Sequence, residues 1–178
     1  PMDYTPGIFD IDYSTAKADK GRIEWNGPNA ACCIKTTLAR QIANWVIIYS
    51  PLQMAADLIE NYEGHPAFRF FRDFDADCDW SKALQGEIGD YIVVARRAKD
   101  RYFLGAGTDE KARTLVQRLD FLEPGVTYTA TIYADAPDAG RNPEAYLIGK
   151  RAVTERDTIR IEMAERGGQA ITFIPAEK

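Results

Sequence analysis

Few residues in this chain are of a type that could do chemistry. Its one histidine, His65, lies between Gly64 and Pro66. Ser/His/Asp or Cys/His catalysis would have to run through it, and no nucleophile motif stands anywhere in the sequence. With a single histidine there can be no multi-His metal site. Cys32 and Cys33 are adjacent, a strained arrangement for a mutual disulfide, and Cys78 lies in an acidic stretch, so no disulfide framework is expected. His65 reads as a loop histidine. There is no G-x-G-x-x-G, Walker loop or EF-hand spacing. The alternating aspartates from Asp73 to Asp79 superficially suggest a calcium loop but lack its sixth-position glycine and closing glutamate, and read as a solvated acidic turn. Carboxylates remain: two of them facing one another can do acid–base or nucleophilic work on an acetal. Asp3, Asp57, Glu60 and Glu63 are the candidates in the first half, and no spacing singles out a pair. Asp57, Glu60 and Glu63 read as the polar face of a helix. Asp3 differs, standing beside Tyr4 at the head of a long loop, where functional residues concentrate.

The elements that would position these groups fall into two regimes. Residues 1 to 28 form a loop-like stretch punctuated by Pro6-Gly7, Gly21 and Gly27-Pro28. One long helix follows. Thr36 and Thr37 are N-cap candidates, and Leu38, Ile42, Trp45, Val46 and Tyr49 recur at helical spacing. Ile47 and Ile48 widen the stripe until the helix must be covered on most sides. Pro51 should end or kink it near Tyr49–Ser50, with a second helical segment over Leu52–Ile59.

After Tyr62 the period becomes two. Tyr91–Arg96 and Tyr102–Leu104 read as strands joined by Arg97-Ala98-Lys99-Asp100. Tyr128, Ala130 and Ile132 alternate with threonines, and Ile159, Ile161 and Met163 alternate with Arg160 and Glu162. Arg113–Leu119, Ala145–Val153 and Gln169–Ile174 are further strands, with turns at Glu123-Pro124-Gly125, Asp138-Ala139-Gly140 and Gly167-Gly168. Six to eight short strands with turns between them spell an antiparallel β-sandwich that stands by itself. The apolar helix before it looks like the tail of another domain.

The 178 residues suit one domain or a domain and a half, and at 46% apolar the chain can bury a sizeable core. No run approaches the roughly 18 apolar residues of a membrane span. The 22 basic and 27 acidic residues give a net charge of −5, which leaves no basic footprint for nucleic acid or anionic membranes. The chain opens Pro1-Met2 with no signal-like region, so a processed or truncated chain is expected.

Longer motifs carry a resemblance. Pro1-Met2-Asp3-Tyr4-Thr5-Pro6-Gly7-Ile8-Phe9, then Thr36 to Ala43, Tyr49 to Asp57 and Glu60-Asn61-Tyr62-Glu63 are similar to the end of the catalytic barrel in glycoside hydrolase family 97. Gln85 to Tyr91, Tyr102 to Gly105, Thr108-Asp109-Glu110, Leu119 to Leu122, Pro124-Gly125 and Thr129 to Tyr133 resemble that family's C-terminal β-sandwich. The family comprises calcium-dependent α-glucosidases and related α-galactosidases built from an N-terminal β-sandwich, a (β/α)8 barrel and a C-terminal β-sandwich. The resemblance implies a mainly β chain: residues 1–65 would be the last loop and helix of the barrel, and residues 66–178 the antiparallel C-terminal sandwich. It places Asp3 and Tyr4 on a loop at the rim of the sugar pocket. It puts the catalytic glutamates and the Ca2+ ligands upstream of Pro1, so neither a catalytic residue nor a metal ligand is expected here and this chain alone should be inactive. The implied substrate of the full-length enzyme is an α-linked oligosaccharide, and the implied compartment is the periplasm.

An alternative is a non-catalytic sandwich for carbohydrate binding or subunit contacts, with Trp80, Tyr91, Tyr102, Tyr133 and Tyr146 as aromatic platforms unless they pack in the core. A helix orphaned from its barrel should expose Trp45, Ile47 and Ile48, a patch open to chain–chain contacts. Burial of those side chains within this chain would count against the barrel remnant.

Overall fold

Thr37, in an extended conformation, accepts the Arg40 amide proton on its side chain and starts helix α1, Leu38–Ile47. The helix stops at Ile48, which is already extended. The computed structural model describes residues 5–11 and 35–176; the Cys32–Cys33 pair, Asp3 and Tyr4 lie outside the described residues. Two further helices are short, α2 (Ile59–Tyr62) and α3 (Arg69–Asp73), the latter entered through a 3-10 turn at Pro66–Phe68. Residues 52–58 are irregular rather than helical and only Ile59 of the expected segment is in a helix, since Asp57 turns its carboxylate onto backbone amides of residues 9 and 10 instead of lying on a helix face.

Eight strands follow: β1 (Trp80–Glu87), β2 (Tyr91–Ala98), β3 (Arg101–Thr108), β4 (Arg113–Arg118), β5 (Tyr128–Asp135), β6 (Tyr146–Val153), β7 (Thr158–Met163) and β8 (Gly168–Pro175). Six form one antiparallel sheet in the order β1-β2-β3-β8-β5-β6, and β4 pairs with β7 in a second, two-stranded sheet. The chain is mainly β and antiparallel, as the alternation predicts. Burial along β7 follows its sequence residue by residue: Ile159, Ile161 and Met163 are buried and Arg160 and Glu162 exposed.

The six-stranded sheet is covered on both faces. On one side Tyr102, Leu104, Ile171 and Phe173 meet Ile159, Ile161 and Met163 of the small sheet. On the other, Phe103, Tyr133 and Ala170 form a single core with Leu38, Ile42, Val46 and the aromatic residues of α3. Gly105 of β3 lets α1 approach this closely: a Cβ there would lie 2.6 Å from the Ala43 carbonyl oxygen and 2.8 Å from the Val46 Cβ. Arginines fix both helix ends. Arg96 of β2 donates to the Val46 carbonyl at 2.6 Å, and Arg40 donates to the Thr108 carbonyl at 2.9 Å.

Two expectations therefore fall. The sheet is not self-sufficient, because one of its faces is closed by α1. Nor is α1 an exposed patch through which chains could meet: Trp45 is buried and Ile47 and Ile48 are half-buried, since the apolar stripe is used up against β3 and β8 and Phe71 stacks on the Trp45 ring at 4.1 Å. The orphan-helix argument for a barrel remnant goes with it.

Candidate functional site

The described part of the opening loop, residues 5–11, is held by side chains from α1, α2 and the irregular segment between them. Gly7 takes φ +101°, a conformation open to glycine, and a Cβ there would collide with the Phe71 ring at 2.7 Å. Around it, Gln41 accepts the Gly7 amide proton at 3.0 Å, the Trp45 indole donates to the Pro6 carbonyl at 3.1 Å, and the Tyr62 hydroxyl donates to the Gly7 carbonyl at 2.7 Å. The same hydroxyl accepts the Asp57 amide proton at 2.9 Å. Burial pushes the Tyr62 phenol up to about 12, so it remains a proton donor throughout the neutral range.

Asp57 completes the clamp. Its Oδ2 accepts the amide protons of Phe9 and Asp10, both at 2.8 Å, and its Oδ1 accepts from the Leu58 amide and the Asn61 side chain. Burial opposes ionisation, but these four donors outweigh it and hold the carboxyl below its ordinary value. The Ile11 amide donates to Glu144, just ahead of β6. The clamp positions backbone and does no chemistry itself. It fixes the backbone of residues 6–10; Asp3 and Tyr4, which the motif resemblance puts at the rim of a sugar pocket, lie outside the described residues. Of the other carboxylate candidates, Glu60 and Glu63 are exposed and take no part.

Because a depressed carboxyl pKa stabilises the fold above its unfolded value and loses that effect as pH falls through the folded one, the clamp should loosen only below the ordinary aspartate range. Asp57→Asn is expected to cost about 1–2 kcal/mol at pH 7, since an amide cannot accept from donors on both sides, with no penalty left at strongly acidic pH. Urea midpoints of the two proteins across pH 2.5–7 check this, and parallel curves at all pH values would rule it out.

The remaining candidates are structural. His65 caps the turn at Pro66–Phe68, its Nδ1 accepting the Ala67 amide proton at 3.3 Å, and its ring packs between Phe9 and Tyr146. Burial pulls its pKa down, against a smaller opposing effect of Glu144. The acidic run is an ion-paired turn: Asp73 meets Arg69, Asp75 meets Lys99 and Asp79 meets Arg97. The Cys78 thiol is pushed up to about 11 by burial, which makes it a poor nucleophile. Among the described residues no group of three or more His, Cys, Asp or Glu could hold a metal ion, and no helix is long and apolar enough to cross a membrane.

Two arrangements carry no sequence signal. An open groove of about 690 Å³ lies between Arg40 and the β1–β2 hairpin. Its cationic groups are already engaged, Arg40 with the Thr108 carbonyl and the neighbouring Arg113 with Asp90 and Asp109. Asp135, at the end of β5, is buried, and its Oδ2 accepts the Ala164 and Gly168 amide protons at 2.9 and 3.0 Å, tying β5 to the β7–β8 turn. Burial raises its pKa, so its pH contribution runs opposite to that of Asp57.

Residues 77–174 match the family model described as "Glycosyl-hydrolase 97 C-terminal, oligomerisation". The chain is 30% identical over 174 residues, 96% of its own length, to a retaining alpha-galactosidase of Bacteroides thetaiotaomicron. Its fold superposes with a TM-score of 0.86 and 43% identity on a glycoside hydrolase family 97 enzyme from Pseudoalteromonas sp. strain K8, solved in complex with panose and with acarbose, over 99% of this chain. A beta-arabinopyranosidase at 23% identity and TM-score 0.65 over 78% of the chain shares the fold alone. The chain spans 25% of the length of the galactosidase and 27% of the Pseudoalteromonas enzyme. The match takes in every strand of both sheets, and the chain belongs to glycoside hydrolase family 97, of which residues 77–174 are the C-terminal domain.

Proposed function

We propose that this chain is the C-terminal part of a glycoside hydrolase acting on α-linked oligosaccharides, in which the sheet domain holds copies together and the clamped loop delivers Asp3 and Tyr4 to the rim of the sugar pocket. The observation that carries the reading is the convergence of Gln41, Trp45, Asp57 and Tyr62 on the backbone of residues 6–10. Four side chains spent on the main chain of one short loop suit a segment whose direction matters. Assignment of residues 1–65 to the end of a barrel rests on motif resemblance, and that loop is where it would meet the pocket. Panose and acarbose complexes of the 43%-identical enzyme favour α-glucosides; the galactosidase keeps α-galactosides as the second class. In this reading the acid, its partner carboxylate and the Ca2+ ligands belong to residues outside this chain, and the enzyme works in the periplasm.

Subunit contacts are favoured over sugar binding by where the aromatic residues lie. Tyr102 and Tyr133 are core residues, and Trp80, Tyr91 and Tyr146 are half-buried, so they form no open stacking face. The 178-residue chain is expected to sediment at a multiple of its 20.0 kDa mass, to leave a nitrophenyl α-glucoside or α-galactoside intact with Ca2+ present, and to run unretarded in starch gels. Turnover would place the catalytic carboxylates within this chain, and retardation would restore the carbohydrate-binding module.

A further inference from the structure

We infer that β6 is the edge through which two copies of this chain pair, antiparallel about a two-fold axis at Leu147. The inference rests on the assembly reading above and names its surface.

The other edges among the described strands are blunted. On the small sheet, the Val116 carbonyl of β4 accepts from the Gln85 side chain at 2.9 Å. Across that sheet, the Thr158 carbonyl of β7 accepts from Arg151 at 2.6 Å, and Gln169 engages the Arg160 carbonyl and the Glu162 amide. Each is a side chain plugging a position where a further strand would bind. On the large sheet, β1 is interrupted by a bulge between Ala83 and Gln85, a device that turns an edge away from partners. β6 has neither protection. It pairs with β5 over eight residues in unbroken register, and residues 147–152 are all exposed. Its apolar side chains stand on both faces, Leu147 at 55% and Ile148 at 40% exposure. Its charges, Lys150 and Arg151, stand in its second half, and a regular edge whose first half exposes apolar side chains on both faces is one that natural sheets cover by pairing.

The backbone sets which groups face outward. The Ala145 carbonyl accepts the Ala136 amide proton, so odd-numbered residues turn their polar groups toward β5. By alternation, the N–H and C=O of Tyr146, Ile148, Lys150 and Ala152 point away from the sheet. A two-fold axis perpendicular to the sheet keeps like faces on the same side, so residues that meet across it have numbers of the same parity. With the axis at Leu147, that residue meets its own copy and Ile148 meets Tyr146 of the second copy, while Lys150 runs past the start of the second copy's strand. Centring on Ile148 or on Gly149 instead would set the Lys150 charge against the second copy's Tyr146 or Ile148. The register at Leu147 is therefore the self-complementary one.

The test uses the whole chain. Ile148→Pro removes an outward N–H and leaves the ladder with β5 intact, so the variant should fold and its dimer dissociation constant should rise at least about 100-fold. Leu147→Lys with Ile148→Lys serves as a second disruption should proline impair folding by circular dichroism. In a background with Cys32, Cys33 and Cys78 replaced by serine, Leu147→Cys should form a disulfide-linked dimer on oxidation, because the pair faces itself at about 4.5 Å between Cα atoms. Gly149→Cys, about 13 Å from its own copy in this register, should not. If the parent chain dimerises and both disrupted variants dimerise as tightly, β6 is not the surface though assembly stands. A parent chain that remains monomeric at all concentrations overturns the assembly reading itself.

Discussion

Gly105→Val is expected to unseat α1 and to cost the fold about 3 kcal/mol. The new Cβ would meet the Ala43 carbonyl oxygen at 2.6 Å, a backbone atom in the middle of a helix, so no side-chain rotation relieves it. The helix would have to lift, and lifting it breaks contacts on the face of Phe103, Tyr133 and Ala170, which α1 covers together with Phe70 of α3. It would also stretch the bonds from Arg96 and Arg40 that hold its two ends. Gly105→Ala should show the same effect in smaller measure. Urea denaturation followed by far-UV circular dichroism reads both, and a valine variant with an unchanged midpoint would mean that the helix rides freely on the sheet.

Phe71→Ala is the second large effect, about 3–5 kcal/mol, the range for removing a buried aromatic ring. Phe71 stacks on Trp45 at 4.1 Å and packs against Phe9 at 5.3 Å and Tyr62 at 6.0 Å. It thus supports the floor on which the clamped loop lies, and its loss should be local as well as global. Amide hydrogen exchange at Gly7, Phe9 and Asp10 is expected to speed up beyond what the drop in overall stability explains. Equal acceleration in β3 and β8 would show that the loop has no stability of its own to lose.

How far the sequence revealed this arrangement depended on burial. β7 was legible because one face is core and the other solvent, so Ile159, Ile161 and Met163 alternate cleanly with charge. β1 was not, because an exposed edge strand with a bulge imposes no period: Trp80-Ser81-Lys82-Ala83-Leu84-Gln85 has exposed residues on both faces. α2 and α3, at four and five residues, are shorter than two helical turns and show no stripe. The extent of α1 was readable, but its covering was misjudged, since periodicity reports that a helix is buried and not what buries it. In the clamp, Asp57 carries the same ambiguity. A lone aspartate in a polar stretch looks like a helix face, and its four hydrogen bonds reach residues up to 48 positions away, a distance no local pattern spans. Gln41 and Trp45 were visible as members of a helix and silent about the loop they hold.

The strand order has a bearing on how this chain comes off the ribosome. β8, last of the eight in sequence, is the seam between β3 and β5. Until Gly168–Pro175 has emerged, β1-β2-β3 and β5-β6 are two separate ribbons with unpaired inner edges, and α1 has half of its seat missing. Synthesis at about 5–20 residues per second leaves that state exposed for several seconds after α1 appears. The domain must therefore close at one late step, and a nascent chain arrested before β8 should be a substrate for holding chaperones and proteases, whatever the stability of the finished sheet.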